Sequence, residues 1–434
     1  TNLDTRLDIG TRLAMTSSGG LVPFAEAGSL AGRLVLSGPA GGVVAAAALG
    51  RHHGHDLVIS FDMGGTSTDV CRITGGAPTV GTGHQVAGRV NRVPSVPVRT
   101  IGAGGGSIAW IDQGGALRVG PRSAGANPGP AVYGQGGMEL TVTDANVLAG
   151  HIPPDLALGG SLALDITAGE TVAERLAALA GLDPERLVAG VLEVVDAHME
   201  RALRSVSTEV GADPRDSALV AFGGAGGLHA SRLAKRLGIT TVLIPPHSGV
   251  FSALGLIMAT PRSDSVRTVM RLAGDPELET VGVALSAEAN DRYGEMFGEQ
   301  GSATHVSADM RYKGQAYELE VPEQGGWGNI EQRFHRIHRE RFGFDRPGEP
   351  VEVVNVRVTV SGVPPLIWND LPAISDQLEP QGANGVWRRE TLPAGFSVEG
   401  PATIVEDNSA TRVETGDQLI ILEDGTLEIS ALAE

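Results

Sequence analysis

A chain of 434 residues is too long for one hydrophobic core and predicts two or three domains. Its apolar share of 41% and charged share of 19% fit a globular protein, and a formal net charge of −18 excludes the basic footprint needed for nucleic acid or an anionic membrane surface. A single cysteine, Cys71, excludes an intrachain disulfide and a thiolate zinc cage, and no apolar run is long enough to span a bilayer, so a cytoplasmic location is expected.

Taken in order, residues 1–13 read as an amphipathic helix and 14–21 as a strand ending in a polar turn. Arg33–Gly50 (RLVLSGPAGGVVAAAALG) reads as a strand, a Gly-rich turn and an Ala-rich helix. Such a unit either binds an anion at the helix N-terminus or packs a helix closely on a sheet, and the sequence leaves both open. His52, His53 and His55 form an H-H-x-H turn beside Asp56; with no further histidine nearby, a solvated loop is the reading.

Val58–Val70 (VISFDMGGTSTDV) is the most informative stretch. An apolar strand ends at Asp62 and runs into Gly64 and Gly65, where the missing Cβ atoms let backbone N–H groups approach phosphate oxygens. Thr66, Ser67 and Thr68 add hydroxyls. Asp62 is placed to serve a Mg²⁺ shell or a water, because hard cations prefer oxygen ligands, and Asp69 is a second carboxylate. The plain alternative is a β-hairpin with an acidic Gly-Thr turn.

A second strand and a Gly75-Gly76 hairpin turn follow. Thr100–Trp110 (TIGAGGGSIAW) is another Gly-rich turn entering a strand, and 119–137 is a Gly- and Pro-rich loop. Asp144 in TVTDAN serves either as a helix cap or as a site carboxylate, with the cap favoured. Residues 167–210 carry helical apolar periodicity. Ala218–Ala230 (ALVAFGGAGGLHA) is the second strong glycine motif: a strand, then Gly223, Gly224, Gly226 and Gly227, then a helix with His229 in its first turn. Beyond Arg267 the texture becomes α+β, with His335 and His338 read as part of a charged, solvated helix face. Residues 361–385 look like a connector, and the tail from 386 like a small β-rich unit.

In this order, DMGGTSTDV, TIGAGGGSIAW, VGPRSAGANPGPAVYG, TVTDAN and VAFGGAGGLHA resemble the hydantoinase A/5-oxoprolinase family. The resemblance continues through RERFGFDRP and VEVVNVRV to WRRETLPAGFSVEGPATIVEDNSAT, nearly the whole chain. It implies an α/β fold with an actin-like (ribonuclease H-like) ATPase core in residues 1–265, an α+β domain in 266–362 and a C-terminal β-rich domain in 363–434. It further implies ATP with Mg²⁺ used to open a cyclic amide, or in relatives to carboxylate a ketone, alongside a hydantoinase B-type partner subunit in an oligomer. Asp62 and Asp69 become the expected catalytic residues, with Asp62 on the metal. Gly64, Gly65, Thr66 and Thr68 become phosphate-binding, and Gly223, Gly224, Gly226 and Gly227 adenosine-binding. The family also carries a first phosphate motif of the form D-x-G-G-T-F-T-D; nothing upstream of Asp62 matches it, since Leu7–Leu13 reads LDIGTRL. The expectation is a chain beginning inside the ATPase domain, with half of the nucleotide clamp supplied elsewhere or missing, and hence a non-catalytic nucleotide-binding role as an alternative.

Overall fold

The run Val58–Phe61 is buried on both faces, which only an interior strand tolerates. In the computed structural model, which describes residues 12–431 apart from 79, 82–83, 87–88, 92, 155–161 and 376–377, it lies within strand Leu57–Met63. The helix expected over 1–13 falls almost wholly outside the described residues. By contacts the chain forms two units, one of Gly38–Leu256 with Ile367–Glu434, the other of residues through Ser37 with Ile257–Leu366.

In the first unit, strands Thr241–Ile244, Ala218–Phe222 and Leu57–Met63 run parallel at the centre of a nine-stranded sheet. Helix Gly226–Leu237 makes the crossover between Ala218–Phe222 and Thr241–Ile244 and buries Leu228, Leu233, Ala234 and Leu237. Helix Pro184–Thr208 begins with Asp183 as N-cap, accepting from the Arg186 N–H, and Pro184 at its first turn. Its Leu187, Val191, Val195, Met199 and Leu203 recur every fourth residue and are all buried in the same core as the sheet.

On one side Leu57–Met63 pairs antiparallel with Thr68–Thr74, which in turn holds Ala77–Pro78 and Arg99–Ile101. On the other side the tail joins in. Leu427–Ser430 pairs with Thr241–Ile244, Gln418–Ile421 with Leu427–Ser430, and Ser397–Glu399 with Gln418–Ile421. The rest of the tail forms a four-stranded sheet of Gly382–Ala383, Val386–Arg388, Ala402–Glu406 and Ser409–Val413. Much of the β-rich segment expected after 386 therefore belongs to the central sheet, because apolar strands there cover an edge that would otherwise present unpaired backbone groups.

Residues Arg33–Leu36, expected as a strand, form a short 3₁₀ turn and a bend before helix Ser37–His52. Gly41 and Gly42 sit inside that helix, where a Cβ would meet the Ser252 carbonyl oxygen at 2.6 Å and the Phe222 ring at 2.7 Å. Close packing, not anion binding, accounts for these glycines.

The second unit is α+β. Its antiparallel sheet runs Arg262–Leu272, Val351–Ser361, Ala303–Tyr312, Leu319–Pro322, and helices Glu277–Phe297 and Ile330–Phe342 share its core. His338 is buried with Nδ1 against the Phe344 carbonyl at 2.7 Å, and His335 Nδ1 meets the Tyr312 hydroxyl at 2.9 Å. The solvated face expected for these histidines is thus an internal one, closed by the loop that follows the helix. No helix among the described residues is long and apolar enough to cross a membrane.

Candidate functional site

The DMGGTSTDV stretch is a β-hairpin. Gly64 N–H donates to the Ser67 carbonyl at 3.0 Å, and Asp62 is the register partner of Asp69. Opposed residues of an antiparallel pair project to the same face, so the two carboxylates stand side by side. Burial first, and then the charge of Asp69, push the Asp62 carboxyl up to about 6; the Ser252 hydroxyl, donating at 3.2 Å, works the other way. Asp69 is also raised, by burial, against a hydrogen bond of 2.5 Å from the Thr100 hydroxyl.

The turn between them is held from one side. Gly105 N–H donates to the Gly64 carbonyl at 2.9 Å and Gly106 N–H to the Gly65 carbonyl at 2.6 Å. A Cβ on Gly104 would lie 2.7 Å from Ser67 N, so the GAGGGS loop is glycine-rich because it lies backbone to backbone on the turn. With its carbonyls occupied, the turn exposes Gly65 and Thr66, whose N–H groups have no hydrogen-bond partner among the described residues. Free donors on a glycine turn are what an anion needs.

Thr68 differs from Thr66. Thr66 lies in the turn and Thr68 opens the strand that follows it: Thr68 is fully buried and its hydroxyl donates to the Ala103 carbonyl at 2.5 Å. The expected phosphate contact from the Thr68 hydroxyl is corrected to a structural one.

The Gly223 turn arrives beside Asp62 because Phe222 and Asp62 are parallel register partners. Gly223 has φ +82°, and a Cβ there would strike Asp62 Oδ1 and the Met63 carbonyl oxygen, each at 2.5 Å. Ala225 N–H then donates to the Met63 carbonyl at 3.0 Å. Only glycine permits this approach. Gly224 is exposed, whereas Gly226 and Gly227 are buried. A Cβ on Gly227 would meet Thr411 Oγ1 at 2.5 Å, so this glycine seats the helix on strand Ser409–Val413. Gly223 and Gly224 thus border the Asp62 site and Gly226 and Gly227 pack the helix behind it. Beyond Gly224 a cavity of about 340 Å³ opens, lined by His247, Gly249, Arg389, Glu406 and Asn408 among others.

Asp144 closes a capping box with the N-cap Thr141 and also accepts the Val132 N–H at 2.8 Å, so its role is structural.

Sequence reasoning missed a buried polar cluster. His229 Nδ1 lies 2.6 Å from Asp196 Oδ1, and Arg232 Nε lies 2.8 Å from Asp196 Oδ2. Arg232 also reaches Glu414 at 2.9 Å. His229 Nε2 is 3.3 Å from Asn146 Nδ2, and the Asn146 Oδ1 is 3.0 Å from His151 Nδ1. Burial alone would raise Asp196, but His229 and Arg232 overcome it and hold the carboxyl at about 2. His151 is lowered to about 4 by burial and by Arg232 and Arg412. The signal was present in two places. Asp196 interrupts the apolar stripe of its helix, and His229 and Arg232 stand three apart on one helix face. A larger cleft of about 670 Å³ touches this cluster at His151, Asp196 and Arg232 and shares no lining residue with the Asp62 hairpin.

A family model described as hydantoinase/oxoprolinase matches residues 2–265. Caprolactamase subunit alpha from Pseudomonas jessenii is 34% identical over 95% of this chain and 64% of its own length. 5-Oxoprolinase 1 from Arabidopsis thaliana is 32% identical over 96% of this chain and 36% of its own. Among solved structures, the ATP-dependent caprolactamase from Pseudomonas jessenii superposes with a TM-score of 0.79 at 32% identity, covering 96% of this chain and 65% of that one. Acetone carboxylase in its nucleotide-free form superposes with a TM-score of 0.77 at 24% identity, covering 97% and 64%, a likeness of fold. The chain spans just under two thirds of the caprolactamase subunit it matches and about a third of the 5-oxoprolinase.

Proposed function

Because the chain belongs to the hydantoinase/oxoprolinase family, we propose that it carries an actin-like nucleotide site and serves in the ATP-dependent opening of a cyclic amide, together with a hydantoinase B-type subunit. The observation that carries this reading is the meeting of three features at one sheet edge. Asp62 faces Asp69, the Gly65–Thr66 turn exposes its donors, and Gly223 lies against Asp62. In α/β sheets, ligands bind at the carboxyl ends of parallel strands, which is where these residues lie.

Gly65 and Thr66 would bind the terminal phosphates of ATP through N–H groups and the Thr66 hydroxyl, and exposed Gly224 with the cavity beyond it would take the nucleoside. Two facing carboxylates, both raised by burial and one of them raised further by the charge of the other, suit a hard divalent cation, so Asp62 and Asp69 fit Mg²⁺. Bound there, Mg²⁺ neutralises phosphate charge. Asp62 further orients the group that attacks phosphorus, while Ser252 and Thr100 fix the two carboxylates.

A ring amide resists water because its nitrogen is a poor leaving group. Transfer of the γ-phosphoryl group to the amide oxygen releases ADP and leaves an O-phosphorylated imidate. Water adding to the imidate carbon breaks the ring C–N bond, the nitrogen leaves as an amine, and the acyl phosphate that remains is hydrolysed by a second water. One ATP, one lactam and two waters give an amino acid, ADP and phosphate.

The test is ADP release by the full-length protein with its partner subunit, with caprolactam, 5-oxoproline or hydantoin added, or acetone with bicarbonate. Stimulation by a cyclic amide, lost in Asp62→Asn, is expected. Failure of every cyclic amide to stimulate overturns the proposal, and stimulation by acetone with bicarbonate alone reassigns the same site to ketone carboxylation.

A further inference from the structure

The H-H-x-H turn acquires a ligand that its sequence neighbourhood does not offer. His53 Nε2 lies 3.0 Å from Asp424 Oδ2, and His52 Nε2 lies 3.8 Å from the same oxygen, across some 370 residues of chain. Adjacent residues on a helix point about 100° apart, but His53 stands just past the end of helix Ser37–His52, and the two rings converge edge to face at 4.7 Å. The three ligand atoms all lie within 4.8 Å of one another.

From this geometry we propose that His52, His53 and Asp424 form a site for a borderline divalent transition metal such as Zn²⁺, with a fourth position open to solvent. Four ligands at about 2.0–2.1 Å around tetrahedral zinc lie roughly 3.3–3.4 Å from each other. The two nitrogen–oxygen separations bracket that edge, so small ring movements complete the cage. His55 and Asp56 are not part of it.

The outer shell supports the same ion. His52 Nδ1 lies 2.8 Å from Asn369 Oδ1, a contact that holds the ring with its Nε2 edge toward Asp424. Asp424 is positioned by Trp368 Nε1 at 2.7 Å, Thr426 Oγ1 at 2.9 Å and Thr426 N–H at 3.0 Å. A histidine oriented by a second acceptor, as His52 is by Asn369, and a carboxylate oriented by donors are supports that metal ligands require. His52 is about a third exposed and leaves a way in for the ion, while Asp424 is largely covered. Bound metal would tie the end of the helix to the Trp368–Asp370 turn and the Asp424 turn, joining three stretches remote in sequence.

The experiment is titration of the metal-stripped full chain with Zn²⁺ by calorimetry, and with Co²⁺ by visible absorption. One equivalent is expected, with the intense Co²⁺ bands of a low-coordinate nitrogen–oxygen site. His52→Gln and His53→Gln should each weaken Zn²⁺ at least about tenfold, and Asn369→Leu, which touches only the outer shell, by about tenfold. His52→Gln replaces an exposed side chain, so the thermal unfolding of the metal-free chain should not move and serves as the folding control. Zn²⁺ binding no tighter than in the His52→Gln/His53→Gln double variant, or Co²⁺ bands that persist in it, would overturn the site.

Discussion

Replacing Asp62 by Asn should make the nucleotide-free protein more stable while removing its ATP turnover. A carboxyl raised from its ordinary 3.8 to about 6 binds its proton more tightly in the folded chain than in the unfolded one. Holding it ionised in the fold therefore costs up to about 3 kcal/mol, and solvent reaching the half-buried group reduces this to roughly 1–2 kcal/mol. The sign follows from the raised value. Between pH 3.8 and 6 the folded state holds more protons than the unfolded state, so stability falls as pH rises through this window and the full cost is present above pH 6. Asn keeps an oxygen to accept from Ser252 and carries no charge to repel Asp69. At pH 7.5 the variant should gain roughly 1–2 kcal/mol, or about 2–3 °C in Tm for a unit of this size, and at pH 3.5 almost nothing. Differential scanning calorimetry at both pH values measures this. Mg²⁺-ATP should then raise the Tm of the wild-type chain more than that of the variant, because binding relieves the repulsion only where it exists. A gain equal at both pH values, or a variant less stable at pH 7.5, would show that the Asp62–Asp69 pair is not strained by charge, and the argument for a cation between them would fall.

The two threonines of the turn should separate cleanly. Thr66→Ala is expected to raise the KM for ATP several-fold with Tm unchanged, since the residue is exposed, whereas Thr68→Val should lower stability by about 1–2 kcal/mol by orphaning the Ala103 carbonyl, with little effect on KM; steady-state kinetics beside thermal unfolding reads both, and equal KM effects would contradict the assignment. Asp196, held at about 2 by His229 and Arg232, supplies stability that is present above its unfolded value near 3.8 and is lost as pH falls toward 2. Acid unfolding followed by circular dichroism should therefore begin as pH drops below 4 and be shallower in Asp196→Asn, which starts less stable at pH 7 by about 3 kcal/mol for leaving buried His229 without its carboxylate and Arg232 with Glu414 alone.

What the sequence by itself determined is what depends on neighbours along the chain. The largely apolar run before Asp62, the glycine pair that follows Met63, and the fourfold spacing of Leu187, Val191, Val195 and Met199 specify strand, turn and helix from local stereochemistry and period. The pairing of Asp62 with Asp69 is almost as local, since a four-residue turn fixes the register of its own hairpin. Tertiary structure alone decided which polar groups stay free. Thr66 and Thr68 are chemically alike, and only the arrival of the GAGGGS loop buries one and leaves the other exposed. Gly223 and Gly227 look equivalent in FGGAGG, yet one meets Asp62 and the other strand Ser409–Val413, a surface almost two hundred residues away. The tail's alternating strands read as a domain of their own because pattern records that an edge can pair, not which edge it finds; Leu427–Ser430 finds Thr241–Ile244. The same holds for His52 and His53, which lack a third ligand until the Asp424 turn is folded against them. Loop closure costs entropy that grows only slowly with length, so contacts between such distant segments are set by which surfaces fit, and that information is not local to any window of the chain.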